Sequence, residues 1–298
     1  MSYDPRRGLY AGGRAFGLPE PPLPVPDTAE LELLVRFEHP AKFLAVKELP
    51  GAALLADHCL ASAYGCSAPA LARVRDLLAA ELEATADALL AGAGIRAAVA
   101  AFPVRAGGTF VALGDSITDD AQSWVELLRC CLDRVRPGEL TVVNAGVSGD
   151  TTAAALARVH GIAALRPELV VAMLGTNDCQ RHGSERAALA HPGASCAAAA
   201  AISRWLALAG ARVVWLTPPP VDRAALAASV GERPFDIDAG DLQRLSDGLK
   251  ASGLEVIDAG ARLYPSAGHL LPDGVHPSLA GQRRIAEAVL RALVLDER

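Results

Sequence analysis

The chain has 298 residues, a formal charge of −6, 51% hydrophobic residues and only 4% aromatic ones. That length fits one large domain, or one ordinary domain with a smaller one, and an apolar fraction made largely of alanine favours helices and close helix packing. The acidic balance lacks the basic stripe of a nucleic-acid surface, and no basic amphipathic segment marks a membrane surface.

Residues Met1–Arg7 lack the apolar core of a signal peptide. No apolar stretch is both long and uninterrupted enough to predict a membrane span. The six cysteines, Cys59, Cys66, Cys130, Cys131, Cys179 and Cys196, form no C-x-x-C pair. This argues against zinc and predicts reduced thiols in a cytoplasmic protein. Cys179 lies close to a motif described below, but no nucleophilic role is assigned to it.

Residues 1 to about 26 are rich in Pro and Gly and read as an irregular or extended arm. Over 29–38, Leu31, Leu33, Val35 and Phe37 alternate with Glu32, Leu34, Arg36 and Glu38, which predicts a half-buried strand. Residues 52–64 read as a helix. Ser67 then caps a stronger one, with Leu71, Val74, Leu77, Leu78, Leu82, Leu89 and Leu90 on or near one face and Gly92 and Gly94 at its end. Two helices around 52–78 would permit a helix-turn-helix, but the basic footprint of a DNA-binding module is missing. Residues 1–107 are therefore expected to form an accessory region: a structural extension, a lid or an oligomerisation element.

From Thr109 onward, strand and helix alternate. Predicted strands are Phe110–Leu113, Leu140–Asn144, Leu169–Leu174, Arg212–Leu216 and Leu254–Ile257; predicted helices are about 119–135, 151–165, 194–209, 239–251 and 278–294. The fold class expected is α/β: a three-layer α/β/α domain over 108–298 around a flavodoxin-like, five-stranded parallel sheet, with a mixed, mainly helical N-terminal extension. Right-handed crossovers put every strand-to-helix turn on one edge of the sheet, where open α/β folds keep their sites.

The first turn is Gly114-Asp115-Ser116, followed by Thr118, Asp119 and Asp120 as helix-start chemistry. A hydroxyl there is a nucleophile if a base and an oxyanion hole converge on it; otherwise Ser116 only helps to cap the helix. The second strand runs into Asn144-Ala145-Gly146-Val147-Ser148-Gly149-Asp150-Thr151-Thr152. Gly149 offers a backbone N–H to a developing oxyanion, or the segment is a plain turn with Asp150 or Thr151 as N-cap. The third strand ends in Gly175-Thr176-Asn177-Asp178, where Asn177 is either a neutral N–H donor or an ordinary turn residue. Before the last helix comes Pro272-Asp273-Gly274-Val275-His276-Pro277. An Asp three residues before a His can orient the ring through Nδ1 and leave Nε2 free to take a proton from a Ser. The alternatives are a surface loop or a metal pair; His269 is near, but no third ligand has suitable spacing. The other histidines, His39, His58, His160, His182 and His191, read as satisfied or exposed side chains, with His182 placed to line a pocket.

These four blocks, in this order and broad spacing, resemble the signature blocks of the SGNH (GDSL) hydrolases over about residues 108–294. The resemblance implies a Ser-His-Asp site without cofactor or metal, acting on a small-molecule acyl ester. It makes Ser116 the nucleophile, His276 its general base and Asp273 the group that orients His276. The backbone N–H groups of Ser116 and Gly149 and the side chain of Asn177 become the oxyanion hole, and Asp115 shapes the turn in support. The expected activity is carboxylic ester hydrolysis through an acyl-enzyme, an O-acetyl ester included. The alternatives are an acyltransferase with the same chemistry, or a binding or regulatory protein that keeps the fold. No nucleic-acid or membrane partner is expected. Residues 183–193, read as irregular, and the long connection from Pro218 through Asp238 are candidate pocket walls. Some members of that family carry an N-terminal carbohydrate-binding β-sandwich, and the helical pattern over 67–91 argues against one here.

Overall fold

The computed structural model describes residues 10–11, 14–15, 28–39, 58, 60–61, 65–262 and 268–295. By its contacts the chain divides into two compact units, Met1–Glu81 and Leu82–Arg298.

In the first unit, Tyr10–Ala11 pairs antiparallel with Arg14–Ala15, and the rest of the predicted arm lies outside the described residues. The strand predicted over 29–38 is instead an α-helix, Thr28–Phe37. Both periods are written in this segment, because leucines stand at 31, 33 and 34. The helical one wins: Leu31, Leu34 and Val35 are buried at i, i+3 and i+4, while Leu33 is half exposed. The Ala, Glu, Leu and Arg content favours a helix, and Glu30 in the first turn with Arg36 in the last suits its dipole. Leu31, Leu34 and Val35 pack in one cluster with Leu60, Leu71, Val74 and Leu78. Of the helix predicted over 52–64, only residues 58, 60 and 61 are described, and they are helical. The helix expected after Ser67 runs Ala68–Leu90, with the Ser67 Oγ accepting from the Ala70 N–H at 3.3 Å.

The second unit is built on five parallel strands: β1 Thr109–Gly114, β2 Thr141–Gly146, β3 Leu169–Met173, β4 Arg212–Leu216 and β5 Glu255–Ile257. Their order is β5-β4-β3-β1-β2. Register carries Gly114 opposite both Gly146 of β2 and Met173 of β3. The order reverses between β1 and β3, and that switch point is where a doubly wound sheet opens a crevice beyond its strand ends. Phe110, Val111, Ala112 and Leu113 are all fully buried, so β1 reads as a continuous apolar run, as a sheet covered on both faces requires. Alternate residues serve opposite layers. Phe110 and Ala112 pack with Ala86, Leu89 and Leu90, and with Phe102, Trp124, Leu128, Ile285 and Val289. Val111 and Leu113 pack with Val159, Ile202, Leu206, Leu242 and Leu245 on the other face. The three-layer α/β/α arrangement follows.

Several predicted helices are broken. The one over 119–135 is Ser116–Asp119 followed by Trp124–Val135. The one over 151–165 is Thr152–Ala157 and Val159–Ala164, interrupted at Arg158. The last is Leu279–Leu290, continued by a π-helical turn at Arg291–Leu295. Residues 183–193 are less irregular than their composition suggests. Ala187–Ala188 pairs with Gln180–His182, which pairs in turn with Phe235–Ile237 in a small antiparallel sheet. The two candidate pocket walls thus join in one element. A two-residue strand is too short to show a period, which is why the sequence hides it. Among the described residues no helix is long and apolar enough to cross a membrane.

Candidate active site

At the end of β1 the chain enters a helix at once. Asp115 is its N-cap, with Oδ1 accepting from the Ile117 N–H at 3.0 Å, so Ser116 is the first helical residue. The helix start expected at Thr118–Asp120 therefore lies earlier, and those acids serve elsewhere. Asp119 Oδ2 accepts from the Ser148 N–H at 3.1 Å and from its hydroxyl at 2.8 Å. Asp120 Oδ1 accepts from the Gln122 N–H at 2.9 Å. The Asp119 bonds tie the Ser116 turn to the loop carrying Gly149. The close approach of the two strand ends needs glycine: a Cβ on Gly146 would sit 2.4 Å from the Asp119 nitrogen.

Ser116 Oγ lies 2.8 Å from His276 Nε2, and His276 Nδ1 lies 2.6 Å from Asp273 Oδ2. An ionised carboxylate only accepts, so Nδ1 carries the ring proton and Nε2 accepts from the Ser116 hydroxyl. Asp273 Oδ1 accepts from the N–H groups of Val275 and His276 at 2.9 and 3.0 Å, which folds the loop back on itself. Burial opposes ionisation of Asp273. The hydrogen bond and charge of His276, with the two backbone N–H groups, outweigh it and hold the carboxyl below its usual range. The loop is docked on the helix Arg223–Val230: Gly274 has φ of 73°, and a Cβ there would meet the Asp222 carbonyl oxygen at 2.4 Å. In this arrangement Asp273 holds the His276 ring through Nδ1, and Nε2 faces the Ser116 hydroxyl.

The Gly149 backbone lies in the left-handed region, at φ of 86°. Thr151, rather than Asp150, caps the following helix, its Oγ1 accepting from the Ala154 N–H at 3.2 Å. Asp150 pairs instead with Arg158 at 2.7 Å. The same guanidinium donates to the carbonyls of Ala145 and Gly114 at 2.8 and 3.3 Å, at the ends of β2 and β1, which is where the helix after Thr151 breaks. Burial raises the Asp150 carboxyl above its usual value despite Arg158.

Asn177 is buried beyond β3 in a short 3₁₀ turn. Its Nδ2 donates to the Asp150 carbonyl at 2.9 Å, and its Oδ1 accepts from Gln180 Nε2 at 2.7 Å. The amide keeps a second N–H. The neighbouring Asp178 accepts from the Thr152 N–H and hydroxyl and from the Ser195 hydroxyl, the last two at 2.5 and 2.6 Å. Ser116, His276 and Asp273 are thus joined in one hydrogen-bonded chain, and the loops of Gly149 and Asn177 are bonded to each other and to the Ser116 turn.

Asp115 is buried, and its second oxygen, Oδ2, has no hydrogen-bond partner. Burial pushes its carboxyl up to about 7, with the Ile117 N–H and His276 partly offsetting and Asp178 and Asp150 adding to the rise. Cys179 is buried, and burial with the nearby Asp178, Asp241 and Asp238 pushes its thiol up to about 12, which makes it a poor nucleophile. Cys66, Cys130, Cys131, Cys179 and Cys196 are free thiols, and Cys59 lies outside the described residues. His182 is exposed on the small sheet, with Nε2 3.0 Å from Gln180 Oε1 and its ring edge-on to Phe235. His191 caps the helix Pro192–Leu208.

Sequence reading missed Gln282, which is fully buried in the last helix. Its Oε1 accepts from the Trp124 N–H at 2.9 Å, and its Nε2 donates to the Ile117 carbonyl at 3.0 Å. It sews the helix that follows His276 to the helix that begins at Ser116. The available signal was a polar residue among apolar ones, Ile285, Ala286 and Val289, on the buried face of a helix.

The family model of the GDSL-like lipase/acylhydrolase family matches residues 112–284. Esterase TesA of Pseudomonas aeruginosa is 33% identical over 190 residues, covering 61% of this chain and 85% of that protein. Two solved structures are similar in fold. LAE5, an α/β hydrolase enzyme from the metagenome of Lake Arreo in Spain, is 24% identical at a TM-score of 0.52 and covers 63% of this chain and 96% of that one. Axe2, an acetylxylan esterase from Geobacillus stearothermophilus, is 21% identical at a TM-score of 0.51, with 64% and 96% covered. The chain belongs to the GDSL-like lipase/acylhydrolase family and is a carboxylic ester hydrolase of that type.

Proposed function

We propose that the chain hydrolyses the ester of a small acyl group, O-acetyl esters included, through an acyl-enzyme on Ser116. The observation that carries this reading is the unbroken chain from Ser116 Oγ through His276 to Asp273, at 2.8 and 2.6 Å. As Ser116 attacks the acyl carbonyl, His276 Nε2 takes the hydroxyl proton, and Asp273 stabilises the imidazolium that forms. The developing oxyanion receives hydrogen bonds from the N–H groups of Ser116 and Gly149 and from the free N–H of Asn177. Ser116 begins a helix, so its N–H has no helical acceptor to satisfy. His276 then protonates the leaving alcohol, and water, activated by the same ring, releases the acid. Asp115 holds the turn in this scheme and moves no proton.

Hydrolysis of a p-nitrophenyl ester series from acetate to decanoate, by wild type and by Ser116→Ala, tests the proposal. Turnover is expected to fall by at least about 10³ in the variant, with what remains coming from binding and the oxyanion hole. The rates are expected to be highest for the short acyl chains. Full activity in Ser116→Ala would remove the nucleophile, and a preference for decanoate would remove the small-acyl assignment.

A further inference from the structure

Asn177 is held on both edges of its carboxamide, and the polarity of the hold can be derived. The Asp150 carbonyl oxygen can only accept, so the atom of Asn177 facing it at 2.9 Å is Nδ2. The opposite atom is then Oδ1, and the atom of Gln180 facing it at 2.7 Å must be a donor, Nε2. That leaves Gln180 Oε1 toward His182 at 3.0 Å, and an amide oxygen requires the proton to sit on His182 Nε2. One backbone carbonyl thus fixes the sense of three side chains in series. The relay is also anchored by main chain. Gln180 is the first residue of the small antiparallel sheet, its carbonyl accepts from the Leu189 N–H at 3.0 Å, and the Cys179 carbonyl accepts from the Asp238 N–H at 2.9 Å. Donors in series polarise one another, so a bond into Asn177 Oδ1 both fixes the amide plane and strengthens its remaining N–H as a donor.

We infer that Gln180 is a positioning residue for ester hydrolysis: by donating to Asn177 Oδ1 it keeps the Asn177 amide turned with its N–H edge toward the oxyanion, and it joins the small antiparallel sheet to the reacting centre. This rests on the proposed role of Asn177 as an oxyanion donor. Without Gln180, the amide loses one of its two restraints and can rotate or flip, placing an oxygen where a donor is needed. The acyl group and the Ser116–His276–Asp273 chain are untouched, so the loss falls on the transition state rather than on substrate binding.

The test is steady-state hydrolysis of p-nitrophenyl acetate by the full chain carrying Gln180→Leu, Gln180→Glu, Asn177→Ala, or Gln180→Leu with Asn177→Ala, each checked for folding by thermal melt. Asn177→Ala is expected to lower kcat by about 10²–10³. Gln180→Leu is expected to lower kcat by about tenfold, a fraction of the donor's own effect, with KM changed by less than about twofold. Gln180→Glu, half-buried and close in shape, is expected to lower it at least as much, because a carboxylate cannot donate to Oδ1 and attracts Nδ2 instead. With Asn177 already replaced, Gln180→Leu is expected to have no further effect on kcat. Wild-type kcat in the folded Gln180 variants, or the same loss with and without Asn177, overturns the role of Gln180. Wild-type kcat in Asn177→Ala overturns the oxyanion assignment itself. Should Gln180→Leu not fold, the Gln180→Glu arm decides, with Gln180→Glu/Asn177→Ala in place of the Leu double variant.

Discussion

The two oxygens of Asp115 are in unequal circumstances: one caps the helix that starts at Ser116, the other is buried without a partner. With its carboxyl pushed up to about 7 by burial, Asp115 is neutral in acid and a buried charge above neutrality. Because the folded value lies above the unfolded one, the stability linked to this proton is fully present below about pH 4 and is lost as pH rises through about 7. The slope is about 1.4 kcal/mol per pH unit. Asp115→Asn keeps an acceptor for the Ile117 N–H and cannot ionise. Its stability is therefore expected to gain on that of wild type between pH 5 and pH 8, read from urea midpoints; parallel profiles would contradict the burial of a titrating carboxyl. The residues of the candidate site that the sequence points to, Ser116, Gly149, Asn177, Asp273 and His276, all stand at turns that contain glycine or proline. There, turn chemistry marks the spot. Asp119, Asp178 and Arg158 were not legible as partners, because each acts on a residue of another loop or element, and no local period records such a pairing. Gln180 lies only three residues beyond Asn177, in a turn too irregular to show a period.

At the scale of elements, the strands were readable from short runs rich in β-branched and apolar residues, almost wholly buried in β1 and β3 and only partly buried in the edge strands β2 and β5. A helix was read as a strand where two periods coexist, at Thr28–Phe37, and a small sheet was missed where its strands are too short to have a period, at Gln180–His182, Ala187–Ala188 and Phe235–Ile237. Gln282 adds hydrogen bonds from the last helix to the Ile117 carbonyl and the Trp124 N–H, beside the apolar packing of Ile285 and Val289. Gln282→Leu would leave the Trp124 N–H and the Ile117 carbonyl buried without that partner, at about 1–3 kcal/mol for each group. A lower urea midpoint together with a lower kcat is expected, since His276 reaches Ser116 through this packing. An unchanged midpoint would show that the bonds contribute nothing net.

Over the whole molecule, the family-like segment and the packing do not begin at the same residue. The family match starts at residue 112, whereas the compact unit holding the sheet starts at Leu82. Leu82, Ala86, Leu89, Ile95, Val99 and Phe102 share a cluster with Phe110 and Ala112 of β1. Residues 82–107 therefore cover one face of the sheet. They belong to its core although they carry none of the four blocks, and an apolar helix gives no sign in sequence of which strand it will cover. We propose that the unit Met1–Glu81, which has its own small apolar cluster, is an accessory one. The central claim is that Ser116 is an activated nucleophile, and the most direct measurement is covalent labelling of the full chain by a p-nitrophenyl alkylphosphonate, followed by peptide mapping. The account predicts one label per chain, carried on Ser116 and absent from Ser116→Ala. A folded wild type that takes no label, or takes it on another residue, would contradict it.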